Sequence, residues 1–138
     1  MVNYYHNYME VVSMGNFGKR FKDYRLKNGL SLREFCSKNE IDASNLSKME
    51  RGVLIPPRET LERYVLALGL SKESDEWYEL HDLAATEKGQ IPSDIVSDEF
   101  INERMPAFFR AARATKGIED GEELSEKLKE IIRKAWTP

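Results

Sequence analysis

The stretch Leu30–Gly52, LSLREFCSKNEIDASNLSKMERG, decides the fold of this 138-residue chain. It holds two strong helix starts in close succession. Ser31-Leu32-Arg33-Glu34 has the form of a capping box, in which the Ser31 hydroxyl and the Glu34 carboxylate each cover the other's free backbone N–H. Leu30 before the cap and Phe35 after it form the matching hydrophobic staple. Asp42 caps a second helix, with Ile41 and Leu46 as its staple, and Gly52 closes it. Only Asn39–Asp42 separates the two helices. Each is started too firmly for them to fuse into one, so they must turn against each other.

Further helices flank this pair on both sides. Phe17–Asn28 reads as a first helix, with Phe17, Phe21, Tyr24 and Arg25 at helical spacing and Asn28-Gly29 at its end. After the loop Val53–Pro57, whose two prolines restart the chain, Leu61, Tyr64, Val65 and Leu68 mark a fourth helix that Gly69 stops. A fifth runs from about Ser74 to Lys88, with Trp77, Leu80, Leu83 and Ala84 on one face. Strand signals are nearly absent. The fold class expected is all-α: a five-helix domain over 17–89, a helical C-terminal extension over 90–138, and an N-terminal extension or arm over 1–16.

The extension is less regular. Ser97 is expected to cap a helix at Phe100-Ile101, and Pro106 to start an Ala- and Phe-rich one. Trp77, Phe100, Met105, Phe108 and Phe109 are expected to be core. The acidic linker Ile118–Glu123 leads to a last helix, about Glu123–Trp136, with Leu124, Leu128, Ile131 and Ile132 as one stripe. That stripe must bury on its own domain, a twin subunit or another protein. In front of the first helix, either translation begins at Met14, or Tyr4, Tyr5 and Tyr8 form an arm that packs on a partner subunit.

Hydrophobic residues at 41% and charged residues at 33% describe a soluble globular chain. No apolar run approaches the ~20 residues of a membrane span. The first fifteen residues contain no Lys or Arg, so no signal peptide is expected. The single cysteine, Cys36, excludes an internal disulfide and fits a reducing cytoplasm. The net charge of −3 hides an asymmetry. Phe17–Leu70 carries 11 Lys and Arg against seven Asp and Glu, while the remainder carries 10 against 17. A basic front and an acidic back suggest that only the front meets phosphate.

A helix-turn-helix needs a small side chain where its helices cross and apolar residues that lock their angle. Cys36 is the small residue, and Phe35, Ile41, Leu46 and Met49 are the apolar set. The stretch FGKRFKDYRLKNGLSLREFCSKNEIDASNLSKMERG, followed after a short loop by PPRETLERYVLALGL, resembles the Cro/phage-repressor (Xre-type) family of transcription regulators. The resemblance covers about Phe17–Leu70. It implies a five-helix repressor-like DNA-binding domain whose second motif helix, at about 43–51, enters the major groove.

Carried over position by position, the resemblance implies that Ala43, Ser44, Asn45, Ser47 and Lys48 face the bases. Serine and asparagine suit purine edges, lysine a guanine or a phosphate, and alanine a thymine methyl. Arg33 would lie over the backbone. Arg51 would close the helix end or reach phosphate. The resemblance also implies a structural contact between Arg25 and Glu50. Two positions depart from the family pattern. Leu32 stands where glutamine often braces a phosphate and a base, so Arg33 is left to compensate. Glu40 stands where the turn often has glycine, and its charge suggests a turn pointing away from DNA.

The expected function is a sequence-specific transcriptional regulator: a cytoplasmic, nucleoid-associated repressor that binds a palindromic operator in double-stranded DNA as a homodimer. Two alternatives stand beside it. One is an antitoxin-type regulator whose C-terminal helices bind a partner protein encoded nearby; the other is an interaction module that has lost DNA binding. Cys36 reads as a small core residue, and His6 and His81 are isolated. No zinc-ligand cluster, Gly-rich phosphate loop or Ser–His–Asp arrangement is visible. No enzyme activity, metal or cofactor is expected.

Overall fold

The structure, a computed structural model, describes residues 16–136; the N-terminal tyrosines and Met14 lie outside them. The regular structure of the described residues is all helix, without a strand, and they fall into two compact units, 16–91 and 92–136. The all-α class is therefore as expected.

The first unit contains five helices: α1 (Asn16–Lys27), α2 (Leu32–Asn39), α3 (Ala43–Glu50), α4 (Arg58–Ala67) and α5 (Asp75–Glu87). Three of their starts follow from side-chain capping. Ser31 Oγ accepts from the Glu34 N–H at 3.1 Å, Asp42 Oδ1 from the Asn45 N–H at 2.9 Å, and Ser74 Oγ from the Trp77 N–H at 3.2 Å. The end of α3 is equally well defined. Gly52 takes a positive φ of 78°, and the N–H groups of Gly52 and Val53 return to the carbonyls of Met49 and Lys48.

These helices enclose one core. Phe17, Phe21, Phe35, Leu46, Met49, Val65 and Leu80 are fully buried, with Cys36, Leu61, Tyr64 and Ala84 beside them. The Phe21 ring meets Phe35 edge-on at 5.8 Å and Phe17 at 6.1 Å, an arrangement that favours aromatic pairs beyond their burial. Trp77 and Leu83 pack on this core while only partly buried.

Polar bonds close the frame around it. Glu87 accepts the free Phe17 N–H at the start of α1 at 2.8 Å, and Arg20 pairs with Glu79, so α5 grips α1 by two carboxylates. Asn28 Nδ2 donates to the Leu68 carbonyl and Lys88 Nζ to that of Pro56, each at 2.8 Å. Glu62 on α4 accepts from Trp77 Nε1 at 3.1 Å and lies 2.9 Å from His81 Nε2, out of line with the ring N–H. Burial lowers the His81 pKa against the pull of Glu62.

The second unit is simpler. A single turn, α6 (Ser93–Val96), precedes α7 (Glu99–Arg113) and α8 (Gly121–Trp136), and α7 packs along α8. Three sequence expectations are corrected here. The cap of α7 is Asp98, whose Oδ1 accepts the Ile101 N–H at 2.9 Å; it stands one residue nearer the helix than Ser97. Pro106 lies inside α7 and does not start a helix. It removes one N–H from the ladder, but Pro106 and Asn102, four residues back, are both exposed, so water can satisfy the unpaired carbonyl. Finally, Phe100 and Phe109 are exposed and α7 buries no residue, because one neighbouring helix covers only part of its apolar arc.

Candidate nucleic-acid interface

The site is built on α2 and α3. Asn39–Asp42 turns the chain between them, with Glu40 in the left-handed region at φ 54°, ψ 46°. Glu40 thus takes the conformation for which a glycine would be suited. The turn closes on α2 all the same, because the Ile41 N–H returns to the Cys36 carbonyl at 2.9 Å and Ile41 is buried. A non-glycine residue pays about 1–2 kcal/mol for this conformation. Replacing Glu40 with glycine removes that strain and adds disorder to the unfolded chain worth somewhat less. Glu40→Gly should therefore raise the unfolding free energy by roughly 0.5–1 kcal/mol, read as a higher urea midpoint at unchanged slope. An equal or lower midpoint would mean that the turn is not strained.

Helix α3 carries the exposed surface. Leu46, Met49 and Glu50 form its buried side. Ser44, Lys48 and Arg51 follow one another at i, i+4 and i+7 on the opposite side, and all three are exposed. Ala43 and Asn45 are exposed at the N-terminal end, and Ser47 is half-buried at the margin. Arg51 bends back along the helix, its Nε donating to Ser47 Oγ at 3.3 Å. Arg33 is exposed near the start of α2. The structure thus gathers Ser44, Asn45, Lys48 and Arg51 on one accessible face of α3, with Ser47 serving as an acceptor for Arg51.

The charge of this surface is nearly balanced. Between Ser31 and Gly52 the exposed cations are Arg33, Lys38, Lys48 and Arg51, and the exposed anions are Glu34, Glu40 and Asp42. Asp42 is committed to capping, where a carboxylate also suits the helix dipole.

What fixes α3 in space is a buried ion pair. Arg25 Nε and Nη2 donate to the two oxygens of Glu50, both at 2.9 Å, and each side chain is only 5% exposed. Arg25 Nη1 donates to the Leu30 carbonyl, also at 2.9 Å. One guanidinium therefore ties α1, the lead into α2 and the end of α3. The fork geometry matches a carboxylate with two parallel bonds, and this hydrogen bonding raises the Arg25 pKa further. Burial pushes the Cys36 thiol up, which suits a packing role.

A second fixing point carries almost no sequence signal. Gly18 on α1 is buried against the backbone at the end of α3. A Cβ there would stand 2.4 Å from the Met49 carbonyl oxygen and 2.5 Å from that of Glu50. The only available signal was a glycine near the start of a helical stretch, where propensity alone disfavours it.

Two helices of fixed angle, with the second exposing a polar face, define a helix-turn-helix. Residues 18–84 match a family described as a helix-turn-helix domain, a span that begins in α1 and ends in α5. No curated protein and no solved structure matches the chain. Among the described residues no group of His, Cys, Asp and Glu could hold a metal ion, and no helix is long and apolar enough to cross a membrane.

Proposed function

We propose that the protein is a sequence-specific DNA-binding transcription regulator of the Cro/phage-repressor (Xre-type) kind, a repressor that reads a palindromic operator as a homodimer. It would work in the cytoplasm on nucleoid DNA. The observation that carries this reading is the face of α3, where Ser44, Asn45 and Lys48 stand exposed on a helix locked from behind by Arg25–Glu50. Ser44 and Asn45 have the donor and acceptor groups that read base edges, Ala43 offers a methyl to thymine, and Lys48 reaches a guanine or a phosphate. Arg33 and Arg51 supply phosphate contacts, with Ser47 bracing Arg51. The four exposed cations of the motif make only a modest electrostatic contribution, so recognition leans on direct reading and on pairing two half-sites.

The test begins by selecting duplexes from a random pool and titrating the winner at several salt concentrations. Ser44→Ala should weaken the selected duplex by about tenfold or more and leave unrelated DNA almost unaffected. Lys48→Ala should weaken both and, if it touches phosphate, flatten the salt dependence by about one unit of slope. If wild type and both variants bind every duplex equally, the reading fails.

A further inference from the structure

Where α5 meets α4, one side chain is poorly matched to its surroundings. His81 is only 14% exposed, and among the described residues its Nε2 is the buried side-chain polar atom left without a hydrogen-bond partner. Yet Glu62 Oε2 stands 2.9 Å away. A buried polar atom left in this state calls for a physical reason. The reason is Trp77. Its indole N–H donates to both oxygens of Glu62, at 3.1 Å and 3.2 Å, so the carboxylate faces the indole and leaves His81 to one side. The imidazole in turn lies against the Trp77 ring, with 4.2 Å between centroids, and cannot swing freely to meet the carboxylate. Whichever nitrogen carries the proton of a neutral imidazole, Nε2 is badly served. Bare, its lone pair faces a carboxylate oxygen; protonated, its N–H misses that oxygen. Two donors thus compete for one carboxylate, and Trp77 holds it.

The other charges near the ring are few. Arg58 on α4 opposes a proton there, and Asp82 on α5 favours one. Further along the same side of α5, Lys88 donates to the Pro56 carbonyl ahead of α4. Helix α1 meets a different side of α5, where Arg20 pairs with Glu79 and Glu87 accepts the Phe17 N–H. Burial of the ring outweighs the pull of Glu62, so His81 stays neutral at neutral pH and charges only in mild acid. Once charged, it attracts the oxygen that it merely faces when neutral. A bond between opposite charges in a partly dry seam outcompetes one from a neutral indole.

We propose that His81 makes the α4–α5 seam proton-responsive: the ring takes one proton from solvent, the bond from its Nε2–H to Glu62 Oε2 forms, and the bond from Trp77 Nε1–H to Glu62 breaks. Trp77 packs on the core while partly buried, so losing its anchor loosens the seam without dissolving the core. The folded ring is less basic than that of the unfolded chain, so this contribution to stability is present above the ordinary histidine value of about 6.5 and is lost as pH falls through the folded value. The device does not depend on the DNA-binding reading.

Nuclear magnetic resonance on the full chain with His6→Gln and Trp136→Phe, which leaves one imidazole and one indole, tests it between about pH 8 and 5. The Trp77 Nε1–H should lose at least about tenfold of its protection from solvent exchange over this range, as the loss of a hydrogen bond to a charged group requires. That loss should share its midpoint with the imidazole titration, below the ordinary histidine value. Adding His81→Gln should leave the indole protection flat with pH, and the urea midpoint should then fall less in acid than it does in the parent. An imidazole midpoint at or above the ordinary value would mean that Glu62 already holds a charged ring. An indole signal that ignores the imidazole titration would mean that no exchange of partners takes place. A His81→Gln protein with the parent's pH response would put the titrating group elsewhere. Each of these overturns the proposal, and the first two are read without the His81→Gln variant, so they stand even if it does not fold.

Discussion

Glu50→Ala should cost about 3–5 kcal/mol of unfolding free energy, a large share of what a domain of this size possesses. The reason lies in what it leaves behind. Arg25 is buried, and two of its three described bonds go to Glu50. Without that carboxylate a guanidinium sits in the core with the Leu30 carbonyl as its remaining partner, and it cannot shed its charge. Arg25→Met should be comparably damaging, since it strands the Glu50 carboxylate instead. The double variant Arg25→Met/Glu50→Leu removes both charges together and should recover much of the loss, because a buried pair often contributes little over an apolar pair of the same volume. Urea unfolding of the wild type, the two single variants and the double variant measures the coupling directly. If the double variant lost the sum of the two single losses, the pair would be two independent contacts, and Arg25 would not be what orients α3. Variants that stay folded should bind DNA less well, because the end of α3 is no longer tied to α1.

How much of this could be read from the amino acids depended on the range of each interaction. Ser31 and Asp42 are legible as caps because a cap acts within its own helix turn, and periodicity exposes Phe35, Leu46, Met49, Leu61 and Leu80 as core. The Arg25–Glu50 contact is implied by family resemblance alone, since nothing local joins residues 25 apart. The carboxylates of Glu62, Glu79 and Glu87 carry no local sequence signal, yet each clamps two helices together. The extension misled for a different reason. Ser97 and Asp98 are both good caps, and their neighbours do not say which one the helix chooses. Phe100 and Phe109 were expected in a core that a two-helix unit is too small to form.

The residue least visible in the sequence makes the most discriminating test. By helix propensity alone, Gly18→Ala should stabilise α1 by as much as about 1 kcal/mol. By packing it should do the opposite, because the new methyl would stand 2.4 Å and 2.5 Å from two carbonyl oxygens. Those oxygens belong to the backbone of Met49 and Glu50, so no rotamer change removes the clash; α1 and the end of α3 must move apart. Overpacking of this kind costs about 1–3 kcal/mol and sometimes more, which outweighs the propensity gain. The expected result is a net loss of roughly 1–2 kcal/mol for Gly18→Ala and a larger one for Gly18→Val, whose β-branching adds bulk at the same spot. Displacing α3 here also lengthens the Arg25–Glu50 bonds and shifts the helix that carries Ser44 and Lys48, so DNA affinity should fall even where the fold survives. A Gly18→Ala protein as stable as wild type, or more so, would show that α1 does not approach α3 this closely. The account of how α3 is held would then rest on the ion pair alone.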